Sequence, residues 1–289
     1  TYTYAQRLLN EYPASPWAGE AILAIGDANM KAGLVDDART MYIRVAQDAQ
    51  DTALGAKAVI RLGQLAYSTG QYNTAKSYLK NQLETTTTLE GNDEVYLLLA
   101  KTYRAANELE NARDMLNDLL TFFEDSELRP DAFIEYTQVL EALGERDRAL
   151  KTAQRGVLEY PDNHRILRNE GELQGLAGHP IAAADALVAA DRAGAGDPGL
   201  LLSAARYYRA AGMPDKSAQT YARLKSKFAG SDESLSGGIE GAQLRFAEGE
   251  TEEALNDLKA LQAATRGTTH YLPSLIATQD IYRDLGLAP

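Results

Sequence analysis

The sequence predicts an all-α chain built as a stack of tandem helix-turn-helix units, and three observations carry that prediction. A glycine, once replaced by asparagine, returns at a nearly fixed interval. A small residue follows it at a constant offset, and apolar residues on both sides recur with helical period. Gly33, Gly70, Asn107, Gly144, Gly178, Gly212, Gly249 and Gly286 are separated by 37, 37, 37, 34, 34, 37 and 37 residues. Five residues beyond the first seven stand Ala38, Ala75, Ala112, Ala149, Ala183, Ser217 and Ala254, each small enough to let two helices approach closely.

Within a unit the first helix precedes the glycine. Ile22/Ile25/Gly26, Val59/Leu62/Gly63, Tyr96/Leu99/Ala100/Tyr103, Phe133/Tyr136/Leu140 and Leu201/Ala204/Ala205/Tyr208 share one spacing. The second helix follows, with Tyr42, Leu79, Leu116, Ala153, Leu187, Tyr221 and Leu258 four residues beyond the small one. Between them the chain must reverse, which favours a left-handed residue without Cβ, with asparagine the usual substitute. Ser15-Pro16, Asp162-Asn163 and Asp197-Pro198 read as helix starts, where a capping side chain or a proline suits amides without intrahelical partners. No segment alternates with period two for long enough to predict a sheet. The units fall at 19–55, 56–92, 93–129, 130–163, 164–197, 198–234 and 235–271. Residues 1–14 read as the second helix of a truncated repeat, since Tyr12-Pro13 matches Tyr160-Pro161, and 272–289 read as a final first helix. This pattern suggests a piece of a longer protein.

Composition narrows the function. With 289 residues, 45% of them hydrophobic, the chain can bury a large core, and with no cysteine it has neither disulfides nor thiolate chemistry. A net charge of −12 opposes generic attraction to nucleic acid or anionic lipid. No stretch approaches the roughly 20 apolar residues that span a bilayer, so no membrane insertion is expected. The N-terminus has no basic flank followed by an apolar signal core.

Leu62-Gly63 with Gly70, Tyr72 and Ala75, and a fourth unit closing with Tyr160-Pro161, resemble the tetratricopeptide repeat. That resemblance covers nearly the whole chain and implies a right-handed α-solenoid of about seven full units plus a partial helix at each end. Two units depart from it: Glu170 replaces an apolar residue in the fifth, and Gly237, Gly238 and Gly241 thin the first helix of the seventh, which should be the loosest. The spacing of 37 rather than 34 residues resembles that of bacterial cell-envelope members.

The resemblance also implies that first helices line a concave groove. Transferred onto this chain, one lining position reads Leu23, Ile60, Leu97, Ile134, Arg168, Leu202 and Ile239, an apolar stripe with one break. The same transfer places Lys101 with Arg104, Arg165 with Arg168, and Arg206 with Arg209, each pair three residues apart on one helical face. These cations could bind carboxylates or phosphates, while the stripe with Tyr67 or Phe246 takes side chains of an extended or helical segment. The competing reading pairs the cations with Asp131, Glu141 and Glu172 and packs the stripe inside the stack. A chaperone-tail carboxylate clamp is disfavoured, because the positions it needs hold mostly apolar residues and Asp27, Gln64, Lys101 and Gln138.

Other motifs are bland in context. Gly194-Ala195-Gly196-Asp197-Pro198-Gly199 fits the dinucleotide-binding pattern but follows a helix instead of a strand. Ser77-Tyr78-Leu79-Lys80 mimics a serine nucleophile motif without its companions. His164, His179 and His270 have no second ligand at helical spacing, and Thr85 to Thr88 reads as a solvated loop. The expectation is therefore a non-enzymatic interaction scaffold with no catalytic residue, cofactor or metal, in a periplasmic or envelope assembly or secretion complex. Its partner is a protein or peptide, acidic if the basic patch is used, and not nucleic acid. A cytoplasmic co-chaperone or adaptor, or the recognition module of an enzyme whose catalytic domain lies elsewhere, are the alternatives.

Overall fold

The computed structural model describes residues 2–12, 15–50, 52–85 and 91–287, so Pro13 and Thr86 to Thr88 lie outside it. The described residues form sixteen α-helices and no strand. In chain order they are α1 (Tyr2–Glu11), α2 (Ala18–Lys31), α3 (Val35–Asp48), α4 (Ala53–Ser68), α5 (Tyr72–Thr85), α6 (Asn92–Ala105), α7 (Leu109–Phe122) and α8 (Arg129–Ala142). They continue with α9 (Arg146–Glu159), α10 (His164–Leu176), α11 (Pro180–Arg192), α12 (Pro198–Ala210), α13 (Pro214–Lys227), α14 (Asp232–Ala247), α15 (Thr251–Thr265) and α16 (Tyr271–Asp284). The chain divides after Glu145 into two compact units, the first holding α1 to α8 and the second α9 to α16.

All eight periodic turn residues adopt positive φ, from 60° at Asn107 to 89° at Gly249. At each, the next residue donates its N–H to the carbonyl five back, as in Gln71 to Ala66, Glu108 to Tyr103 and Met213 to Tyr208. This bond and the one beside it satisfy carbonyls that a helix end leaves orphaned, which is why the turn recurs unchanged. A Cβ there meets no neighbour, so the cost of a side chain is backbone strain alone. Gly144→Ala should lower stability by about 1 kcal/mol and Asn107→Gly should raise it slightly, by urea denaturation.

The small residues Ala38, Ala75, Ala112, Ala149, Ala183, Ser217 and Ala254 are all fully buried. Close approach continues on the first helix. A Cβ on Gly26 would lie 2.6 Å from the Tyr42 ring, and one on Gly63 would lie 2.8 Å from Leu79 Cδ2. Within the first unit Ile22, Tyr42, Val45, Ala58, Leu62 and Leu65 make one cluster over α2 to α4. In the second, Leu167, Leu187, Leu201, Tyr208, Tyr221 and Leu224 do the same over α10 to α13. Each hairpin thus buries its apolar faces against the next, the logic of repeat stacks. First helices also touch one another, α2 with α4, α4 with α6, and α12 with α14, forming the inner layer of each unit.

Three helix starts differ from expectation. Asn163 and Asp197 do cap α10 and α12, but Ser15 caps only a turn, and α2 begins at Ala18. Thr52 accepts from Gly55 N and Ser231 from Ser234 N, so α4 and α14 begin at residues 53 and 232 rather than at unit boundaries 56 and 235. Arg129, also buried, donates to the carbonyls of Leu120 at 2.9 Å and Phe123 at 3.3 Å, covering the end of α7.

Candidate functional site

The inner layer presents the residues expected to line a groove, and burial sorts them into two groups. Leu23, Ile60, Leu97, Leu202 and Ile239 are only 6–9% exposed. Ile134 of the same stripe is half-buried, and successive first helices are in contact here. Tyr67 is half-buried, its ring 6.0 Å from that of Tyr72, and Phe246 packs on the cluster of Ile239, Ala254 and Leu258. Beside these partly buried side chains the face carries charges.

Those charges form ladders from one first helix to the next. In the first unit Lys57 reaches Glu20 at 3.6 Å, Arg61 reaches Asp27 at 3.2 Å, and Arg104 reaches Glu135 at 3.0 Å. Gln64 donates to Glu94 at 2.8 Å. In the second unit Arg168 pairs with Glu172 at 2.8 Å and with Asp197, the cap of α12, at 3.1 Å. Arg206 clasps both carboxylate oxygens of Glu240, the shortest contact being 2.6 Å. Glu172, one of the anionic partners named from sequence, is used here. Glu135, Asp197 and Glu240 were missed, although each stands close to one repeat length beyond its arginine.

The pairs leave the guanidinium groups half outside: Arg168 retains 49% and Arg206 51% side-chain exposure. Arg165 and Arg209 are exposed one helical turn to either side of them. Lys101 and Arg209 have no ion pair among the described residues. Burial pushes the Glu240 carboxyl upward, but bonds from Arg206 and Tyr221, with the charges of Arg206 and Arg209, outweigh it and hold the group below the ordinary carboxylate range. Burial and the bond to Glu240 together raise the Tyr221 phenol. A depressed carboxylate stabilises the fold fully above its unfolded pKa, and that contribution is lost as pH falls through the folded value. Glu240→Gln should therefore lower Tm at pH 7, with the gap to wild type closing as the pH drops below about 4.3.

The remaining motifs fall on ordinary structure. The segment from Gly194 to Gly199 links α11 to α12, with Asp197 accepting from Gly199 N at 2.9 Å. Ser77 and Lys80 lie within α5, while His164 opens α10 and His179 and His270 precede α11 and α16. Among the described residues no helix is long and apolar enough to cross a membrane.

Fold and surface together define a helical-repeat scaffold whose first helices carry a charged face. The family described as "Tetratricopeptide repeat" matches residues 66–129, and that described as "Tetratricopeptide repeat-like domain" matches 1–94, so the chain carries tetratricopeptide repeats there, and helical hairpins continue through the described residues beyond. Among solved structures it is similar to the C-terminal part of a TPR repeat-containing protein from Cytophaga hutchinsonii, with TM-score 0.66, 13% identity, and coverage of 88% of this chain and 99% of that one. A tetratricopeptide repeat protein from Parabacteroides merdae gives TM-score 0.53 at 15% identity, covering 90% and 98%. BtubC from P. vanneervenii gives 0.57 at 18%, covering 67% and 87%. At such identities the likeness speaks to fold. A search of curated proteins found no match.

Proposed function

We propose that the chain is a non-enzymatic scaffold that holds an acidic segment of a partner protein on its first-helix face. Tetratricopeptide repeats typically act as protein-interaction scaffolds without catalysis of their own. One observation carries the finer reading: on this face Leu23, Ile60, Leu97, Leu202 and Ile239 are buried, whereas Arg165, Arg168, Arg206 and Arg209 are exposed. Recognition then comes from guanidinium groups already oriented by Glu172, Asp197 and Glu240, which can share a bidentate bond with an incoming carboxylate. Groups held in place lose little rotamer freedom on binding.

An envelope assembly or secretion setting is part of the proposal, supported by the 37-residue spacing and its resemblance to envelope members. Fractionation of cells expressing the full-length protein checks it: recovery with the envelope or periplasm is expected, and purely cytosolic recovery favours the adaptor reading.

The face itself is tested with a glutamate-rich dodecapeptide as probe. Arg165→Glu with Arg209→Glu should weaken its binding at least tenfold by calorimetry, leaving Tm within about 2 °C of wild type, because surface substitutions cost little. Equal binding by wild type and the double variant would remove the basic face from the account.

A further inference from the structure

A second feature lies on the other side of the seventh first helix. Between α13, α14 and α15 runs a cleft of about 590 Å³. Its floor is Gly237, Gly238 and Gly241 of α14, and its walls include Ala222 of α13 and Leu261 of α15. The first-helix face uses Ile239 and Phe246 of the same helix, so the two surfaces are distinct.

The cause of the cleft is legible in repeat register. Eleven residues before the turn glycine, the other complete units carry Ile22, Val59, Tyr96, Phe133, Leu167 and Leu201; the seventh has Gly238. Eight residues before it, Ile25, Leu62, Leu99 and Tyr136 have their counterpart in Gly241. Neither glycine is required by the backbone, since both are helical with ordinary φ. Nor does packing demand them: a Cβ would sit 3.5 Å from Leu261 and 3.6 Å from Tyr221, normal contact. Alanine would thus fit and strengthen the helix, so the open volume persists at a cost in stability.

One end of the cleft asks for an acceptor. Ser234, 5% exposed, lines it, and its hydroxyl makes no hydrogen bond among the described residues. Lys225, also in the wall, has no ion pair among them. Both belong to the end where α13 finishes and α14 begins. At the far end Arg245 is neutralised by Asp257 at 3.3 Å.

The lining chooses the occupant. From Ser234 to Arg245 the cleft runs along about 16 Å of helix. Against Ala222, Gly238, Gly241, Ala242 and Leu261 the backbone N–H and C=O groups of an extended peptide would find no partner. A hydrocarbon chain has no such groups. We propose that the cleft binds a single long-chain alkyl carboxylate, its chain over Gly238 and Gly241 and its head at Lys225 and Ser234.

The test is calorimetric titration of the purified chain with dodecanoate, decanoate and dodecanol below their micelle-forming concentrations. Dodecanoate should saturate one site, and decanoate, two methylenes shorter, should bind about tenfold more weakly. Lys225→Glu should weaken dodecanoate about tenfold and leave dodecanol unchanged. Gly238→Leu with Gly241→Leu, the residue type other units use there, should abolish binding of both. Gly241→Ala serves as the folding control, with Tm about 3 °C higher. Absence of saturable dodecanoate binding, or equal binding by wild type and Lys225→Glu, would overturn the proposal. So would titration of a folded double-leucine variant as wild type.

Discussion

Asp191→Ala should destabilise the second unit by about 3 kcal/mol, the penalty for breaking a buried ion pair. The Asp191 side chain is wholly buried at the end of α11 and held from α13 by Arg223 at 2.6 Å and Lys227 at 2.7 Å. Lys227 also donates to the Asp191 backbone carbonyl at 3.2 Å, serving a helix end as well as the carboxylate. Removing the carboxylate leaves two cations facing each other; they are about a third exposed and can rehydrate, which keeps the figure at the lower end for buried pairs. Asp191→Asn keeps the shape and loses the charge, so it should recover only part of the stability. Chemical denaturation followed by circular dichroism reads both. A cost below about 0.5 kcal/mol for the alanine variant would show that the network contributes no more than a surface pair.

The second large effect concerns Leu79 and Gly63. Leu79 is fully buried over the glycine, where a Cβ would stand 2.8 Å from its Cδ2. Leu79→Ala should cost about 3 kcal/mol through lost burial and the cavity left behind. Gly63→Leu alone should cost about as much by overpacking. Combined, the larger residue on α4 enters the space vacated on α5, and the double variant should recover more than half of the summed loss. The coupling follows from a double-mutant cycle, and simple additivity would mean the two helices do not meet at this point.

Legibility followed the range of the interaction. The turn residues from Gly33 to Gly286 and the small residues from Ala38 to Ala254 were readable because backbone conformation and close helix approach constrain a single position. The ladders were not. Arg104 with Glu135 and Arg206 with Glu240 depend on how one first helix is set against the next, which a periodic pattern leaves open. The same dependence sets how far Leu23 and Ile60 are buried, 6% and 7% exposed, which repeat spacing alone does not give. Asp191 gave no signal, since its two cations lie 32 and 36 residues downstream on another hairpin. Gly238 and Gly241 were visible as departures, but the open cleft beside the 16-residue helix α14 was not, since it depends on how α13 and α15 are set against it. Thr52 and Ser231 were overlooked as caps, yet each accepts a bond from an amide of the first turn.

The account rests on hairpins that are stabilised by their immediate neighbours and leave the first-helix face free to bind. Amide hydrogen exchange of Leu79→Ala tests this most directly. Faster exchange concentrated in α4, α5 and α6, with α1 and α2 close to wild type, is the expected result for a nearest-neighbour stack. Equal acceleration throughout α1 to α8 would mean one undivided core and would contradict it.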